Sequence, residues 1–175
     1  MENESEKNYR QYFLTQERFD EHQKRIDKRI EKFSNSFLNN SKWRKLLLTI
    51  FSNTDLIQHC EINDFFSNCI VNLRIQKKNI KFEDFIYSTH IDPFITTADG
   101  PISYREIEFL AFDKSWHGEF VGRLVQRKVF TQDMKRIREL LSAIGKFEWE
   151  EHDHSIHCDS LRIGKKQMHN TDLAS

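Results

Sequence analysis

The chain has 175 residues, which fits one domain with an extension or at most two small domains. Its 27 basic residues balance 27 acidic residues, so no overall field attracts nucleic acid or an anionic membrane, and neither is an expected partner. The five glycines and two prolines argue against a glycine-rich phosphate loop and against a proline-rich linker.

The N-terminal six residues are acidic and polar, and they lack the positive start and apolar run of a signal peptide. The most apolar stretch, residues 46–51, is too short to span a bilayer. We therefore expect a cytoplasmic protein. Because no catalytic or cofactor motif stands out, we expect neither a cofactor nor enzymatic activity.

Residues 6–33 contain no glycine or proline. Apolar side chains recur in this stretch every seven residues, at Tyr12, Phe19, Ile26 and Phe33. The spacing predicts a long helix with a narrow apolar stripe, forming an N-terminal arm over residues 1–35 that either docks on the domain or is partly frayed. A homodimer through residues 6–33 is the alternative, although Gln16 and Gln23 interrupt the seam that a coiled coil needs.

The middle of the chain alternates between helix and strand patterns. Ser41 is predicted to cap a helix over residues 42–51. Its apolar face consists of Trp43, Leu46, Leu47, Ile50 and Phe51. Alternating apolar residues predict strands over 68–75 and 104–112, whereas 80–89 fits either a strand or a helical turn.

The C-terminal part predicts one more helix and a hairpin. Residues 120–130 fit a strand or a helix equally well. Thr131 is predicted to cap an amphipathic helix that Gly145 ends. A terminal hairpin follows over residues 147–163, and the polar residues 165–175 are predicted to be a disordered tail.

These elements predict an α+β fold, with the domain over residues 36–164. An N-terminal long helix precedes a mostly antiparallel sheet of about four to six strands, packed by two or three helices.

Several carboxylates alternate with apolar residues in the predicted strands. This alternation is the ordinary pattern of a sheet with one face in water. As a functional interpretation, a row of carboxylates on an open sheet suits the docking of a basic partner. The candidate partner-binding residues are Glu106, Glu108, Glu148, Glu150, Glu151 and Asp153.

The segment 152–158 contains three imidazoles and one thiol, which are transition-metal ligands. A polar hairpin tip explains the segment without an ion, so we expect no metal site. The alternative ligands are His152, His154, His157 and Cys158. Cys158 is also the alternative nucleophile, with a nearby histidine as its base, although a buried structural cysteine is the simpler interpretation.

The three cysteines, Cys60, Cys69 and Cys158, are odd in number and widely spaced. They fit no disulfide framework, so reduced thiols are expected. Basic residues around Trp43 resemble a nucleic-acid patch, because aromatic rings among basic residues stack bases and hold phosphates. However, Trp43 lies on the apolar stripe of its helix, which favours a core position instead.

The segment 37–46 contains Asn39, Asn40, Lys42 and Trp43. It resembles the opening of a family of small, functionally uncharacterised bacterial domains with an Asn-Asn-x-Lys-Trp start. In that family an Ile-Glu-Trp-Leu strand and a final helix with a hairpin follow. Residues 104–110 match the strand, with Phe109 in place of the tryptophan, and residues 144–147 match the helix-to-hairpin junction. The resemblance covers residues 36–164 and implies an α+β fold, and it transfers no catalytic residue to this chain.

The general profile is also similar to immunity proteins of bacterial toxin systems, such as contact-dependent growth inhibition. That likeness implies a cytosolic protein that binds one cognate toxin, such as a basic nuclease, and covers its active site. Two alternatives remain open. One is a small enzyme or metal-binding protein that uses the segment 152–158, and the other is a nucleic-acid-binding accessory protein.

Overall fold

The computed structural model of the protein describes residues 7, 9–35, 38–66, 71–72, 81–92, 100–117, 129–147, 149–154, 158–164 and 166–167. Within this part of the chain, three helices and a set of small antiparallel sheets form the predicted α+β fold. None of the helices described is both long and apolar enough to cross a membrane.

The N-terminal helix, α1, spans Gln16–Ile30 and is shorter than predicted. The Thr15 side chain caps it by accepting a hydrogen bond from the backbone N–H of Arg18 at 3.2 Å. Because this cap starts a new helix, the single helix predicted over residues 6–33 was wrong in its extent. Ile26 has 0% exposure, so α1 packs against the rest of the chain.

The second helix, α2, spans Asn40–Ser52. Its cap is Asn39, which accepts a hydrogen bond from the backbone N–H of Lys42 at 2.9 Å, so the predicted cap Ser41 was wrong. The predicted apolar face is confirmed, because all five of its residues are buried: Trp43, Leu46, Leu47, Ile50 and Phe51.

The strands form one larger sheet and three two-stranded pairs. In chain order they are β1 (Phe33–Asn35), β2 (Glu61–Asp64), β3 (Val71–Asn72), β4 (His90–Ile91), β5 (Ile102–Ser103), β6 (Ile107–Asp113), β7 (Ser115–His117), β8 (Val129–Thr131), β9 (Glu150–His154), β10 (Cys158–Gly164) and β11 (Lys166–Gln167). The larger sheet is antiparallel, with the order β3-β2-β6-β10-β9. The predicted terminal hairpin corresponds to β9 and β10.

One face of this sheet carries the main core. Ile62 and Ile163 lie in register on either side of Leu110, and all three are buried. Because side chains alternate along a strand, Glu61, the neighbour of Ile62, belongs to the opposite face. The core face joins the buried residues of α2 and of a third helix in one hydrophobic cluster.

The third helix, α3, spans Met134–Ser142. Asp133 caps it by accepting a hydrogen bond from the backbone N–H of Arg136 at 3.1 Å, so the predicted cap Thr131 was wrong. The helix ends before Gly145, because Ala143 is already its C-terminal cap.

Four other predicted segments compare with the structure in different ways. The strand predicted over 104–112 begins only at Ile107, since the backbone N–H of Glu106 closes a turn onto the Ser103 carbonyl at 2.9 Å. The segment 80–89 contains the 3-10 helix Phe82–Asp84, which matches the helical alternative. Strand β3 covers two residues of the predicted segment 68–75, and strand β8 covers the end of the predicted segment 120–130. The rest of these two segments lies outside the described residues.

The start of the predicted disordered tail is ordered. Strand β11 pairs antiparallel with β1, and Phe33 lies opposite Gln167. The prediction of disorder from residue 165 was therefore wrong for Lys166 and Gln167. Residues 168–175 lie outside the described part of the chain.

Candidate functional site

The candidate carboxylate Glu106 lies under the N-terminal segment and is not part of an exposed face. It is 4% exposed. Its Oε2 accepts hydrogen bonds from the Tyr9 hydroxyl at 3.1 Å and from the backbone N–H of Ser103 at 2.6 Å, and its Oε1 contacts His22 Nε2. The prediction of a solvent-facing Glu106 was therefore wrong, because three donors saturate its carboxylate inside the protein.

This Glu106 network fixes the N-terminal arm to the domain. Burial, and then the Glu106 carboxylate, raise the pKa of the Tyr9 hydroxyl far above its usual value, so the hydroxyl remains a donor. Arg105, which directly precedes Glu106, contacts Asp27 and Gln23 on α1. The arm thus contacts the domain of its own chain.

The remaining candidate carboxylates that the structure describes lie on two different strands. Glu108 is half-buried on the central strand β6, whereas Glu150 and Glu151 are exposed on β9 at the sheet edge. Glu151 makes an exposed ion pair with Arg138 of α3, with 3.4 Å between the charged atoms. Asp153 also lies on β9, in register with Asp159 of β10, and Glu148 lies outside the described residues.

The histidine and cysteine segment lies at the hairpin of β9 and β10. His154 is paired in register with Cys158, and His152 with Ser160, while His157 lies outside the described residues. The predicted reduced thiol is confirmed for Cys60, which is free and buried. Burial raises the pKa of this thiol well above its usual value, which disfavours the reactive thiolate.

The basic residues around Trp43 do not form a stacking platform. Trp43 is 2% exposed and belongs to the hydrophobic core, so its ring is not accessible to a nucleic-acid base. Arg44 donates from Nε to the Ile86 carbonyl at 3.0 Å. Both side chains therefore stabilise the fold around α2.

A cluster that the sequence analysis missed lies on the sheet face opposite the main core. It consists of His59, Glu61 and Asp113, hereafter the His59 cluster. Glu61 is paired with Ala111 in the antiparallel sheet, and Asp113 lies two residues further along β6, close to His59. His59 Nδ1 lies 3.4 Å from Asp113 Oδ2, and His59 Nε2 lies 3.8 Å from Glu61 Oε1.

Two neighbouring side chains fix the His59 cluster. Buried Gln132 accepts from the backbone N–H of His59 at 3.2 Å and donates to the carbonyls of His59 and Asp113 at 2.8 and 2.7 Å. The Trp116 ring stacks on the His59 imidazole, with 5.0 Å between ring centroids. Of the described residues, these are the groups best suited to hold a metal ion, since one imidazole and two carboxylates converge.

A separate cavity of about 370 Å³ lies beside the N-terminal arm, lined by Gln11, Tyr12, Tyr87, His90 and Asp92. Burial lowers the pKa of His90 to about 4, so this imidazole is neutral at physiological pH. The Tyr87 ring stacks on it at 4.6 Å, and the Tyr12 hydroxyl donates to Asp92 at 3.1 Å. The cavity offers a polar surface to a small molecule.

Little in the sequence identifies the His59 cluster in advance. The pair His59 and Glu61 has the two-residue spacing of neighbours on one strand face, which is the only local signal. Asp113 is distant in sequence and reaches the pair through strand pairing. Comparison with protein-family models, with curated proteins and with solved structures found no match for this chain.

Proposed function

We propose that the protein binds another protein through its acidic edge strand and acts as an immunity-type inhibitor of a bacterial toxin in the cytoplasm. The observation that carries the proposal is that the exposed carboxylates Glu150 and Glu151 lie on β9, at one edge of the larger sheet. Inhibition follows from steric occlusion, since a bound protein of this size covers the active site of a toxin.

The geometry of β9 favours an approach from the edge of the sheet. Consecutive residues of a strand point to opposite faces, so Glu150 and Glu151 flank the strand on both sides. A partner that contacts both carboxylates therefore meets the strand edge-on. In the described part of the chain β9 is paired only with β10, and an edge strand is also a template for main-chain hydrogen bonds with a partner.

The charge of the edge selects a basic partner, such as a nuclease toxin. The whole chain has a formal net charge of +0, so attraction depends on this local concentration of carboxylates and not on an overall field. Complementary charges speed association and set partner choice more than they raise affinity. The likeness of the chain's profile to immunity proteins is in line with this mechanism.

The proposal is tested by the growth of bacteria that express the gene directly upstream of the gene for this protein. We expect the product of that upstream gene to arrest growth and co-expression of this protein to restore it. The variant Glu150→Lys/Glu151→Lys should lose protection, whereas Glu83→Lys, a charge reversal at another exposed residue, should retain it. A harmless neighbouring product would contradict the immunity role.

Association kinetics with the purified neighbouring product test the surface separately. At low salt we expect the double charge reversal to slow association by about tenfold or more, and the difference should shrink as salt screens the charges. Equal rates for both proteins at every salt concentration would exclude the acidic edge as the contact. The unfolding midpoint of each variant serves as the control for folding.

A further inference from the structure

We propose that the His59 cluster binds a divalent ion of a first-row transition metal between β2 and the end of β6. This site lies outside the acidic edge, and it adds a ligand to a protein for which the proposed function requires none. The ion is held by His59, Glu61 and Asp113, and water completes its coordination.

The distances within the cluster suit one ion. One ligand atom from each of the three residues lies within 4.8 Å of the other two. Ligand atoms of a tetrahedral zinc ion lie about 3.3–3.6 Å apart, because bonds of about 2.0–2.2 Å meet at the tetrahedral angle. Asp113 contacts His59 Nδ1 and Glu61 contacts His59 Nε2, so one carboxylate side chain rotates toward the nitrogen that the other already faces when an ion binds.

The charges of the cluster also fit a dication. The carboxylates of Glu61 and Asp113 are each 21% exposed, and the His59 side chain between them is 5% exposed. A dication balances two carboxylates and leaves the imidazole neutral, as coordination through nitrogen requires.

The imidazole and the backbone of the ligands are fixed before an ion arrives. Gln132 ties the backbones of His59 and Asp113 together, and Trp116 holds the plane of the imidazole. Outer contacts of this kind orient metal ligands and strengthen binding. The buried Trp116 Nε1–H has no acceptor among the described residues, so a donor beside the imidazole is left for a further ligand.

The donor types indicate which ion is preferred. Imidazole favours zinc, iron, nickel and copper, whereas carboxylates alone favour magnesium, calcium and manganese. One nitrogen and two oxygen donors therefore favour zinc over magnesium. Partial exposure of the carboxylates leaves a path for the ion and room for bound water, which is the usual arrangement of three-ligand zinc sites.

Calorimetric titration of the full-length protein with zinc chloride, after treatment with a chelator, tests the site. We expect one ion per chain and a melting temperature that rises with zinc. The isosteric variants Glu61→Gln and Asp113→Asn should each weaken binding by about tenfold or more. Glu108→Gln, which changes a half-buried carboxylate on β6 outside the cluster, should bind zinc like the unchanged protein.

A second variant and a spectrum distinguish this site from the C-terminal histidines. The variant His152→Ala/His154→Ala should retain the ion. Cobalt bound to the unchanged protein should show no sulfur charge-transfer band, because no thiolate belongs to the site. The proposal is overturned if zinc does not bind, if Glu61→Gln and Asp113→Asn leave the affinity unchanged, or if the two C-terminal histidines account for the binding.

Discussion

Among the described residues, histidine–carboxylate contacts occur at two places, and the buried partner differs between them. In the Glu106 network the carboxylate is buried, with 6% of its side chain exposed, and His22 is 19% exposed. In the His59 cluster the imidazole is buried, while both carboxylates are 21% exposed. In the first contact the carboxylate is held inside the protein by Tyr9, Ser103 and His22, whereas in the second the carboxylates are partly accessible to solvent. Similar residue types thus serve docking of the N-terminal arm in one place and ligand binding in the other.

The largest effect is expected from Glu106→Ala. The substitution leaves the buried Tyr9 hydroxyl, the Ser103 N–H and His22 without their acceptor. Breaking a buried, hydrogen-bonded pair costs about 4 kcal/mol of unfolding free energy. Urea denaturation measures this loss, and zinc affinity should not change. A loss below about 1 kcal/mol would show that the network is not structural.

Acid should destabilise the protein through His90. Burial lowers the pKa of His90 to about 4 from its ordinary value of 6.5, although Asp92 acts in the opposite direction. The unfolded chain therefore takes up a proton below pH 6.5 that the folded protein does not bind until about pH 4. Stability is present above pH 6.5 and falls by about 3 kcal/mol as the pH decreases through this window.

Denaturation of the unchanged protein and of His90→Asn at pH 7 and pH 4 measures the contribution of His90. The unchanged protein should lose more stability between the two values than the variant, because the asparagine does not titrate. Equal losses in the two proteins would assign the acid sensitivity to other groups.

A smaller effect is expected from Gln132→Ala. Gln132 bonds to the backbones of Gln58, His59 and Asp113, so its removal leaves buried polar groups without partners. We expect a loss of about 2 kcal/mol of unfolding free energy. Zinc binding should weaken by about tenfold, because the ligands lose their fixed spacing. Unchanged zinc affinity would mean that Gln132 does not position the cluster.

The smallest effect is expected from Arg105→Ala, which removes a contact next to Glu106. Arg105 pairs with Asp27 of α1, but the two side chains are 47% and 57% exposed. An exposed ion pair of this kind contributes less than about 0.5 kcal/mol after solvent screening. Urea denaturation of Arg105→Ala and of Glu106→Ala under the same conditions compares their losses of unfolding free energy. A loss as large as that of Glu106→Ala would mean that the Arg105–Asp27 ion pair is what attaches the arm to the domain.

Local periodicity was sufficient to predict much of the fold. The apolar face of α2 and the β9–β10 hairpin follow from helix and strand spacing, which neighbouring residues determine. The burial of Glu106 was not predictable, because its alternation with Glu108 imitates an exposed strand face. Its donor Tyr9 is separated from it by 97 positions, so the sequence gives no local sign of the contact.

The His59 cluster was missed for a related reason. Strand β2 was not predicted, and without it the pair His59 and Glu61 has no partner strand. The pairing of β2 with β6 brings Asp113 close to His59. Residue spacing does not predict this contact, because the two residues are far apart in the sequence. The acidic residues on β9 could be selected from the sequence because they are neighbours in it, and their role in binding stays a prediction.

Nuclear magnetic resonance of the histidine side chains, recorded during addition of zinc, tests most directly the difference between the two contacts. Substitution of each of the eight histidines assigns the signals. We predict that the ring signals of His59 shift with zinc while those of His22 stay unchanged. Shifts of the His22 ring, or unchanged signals of the His59 ring, would contradict the distinction between a saturated docking contact and an open ligand site.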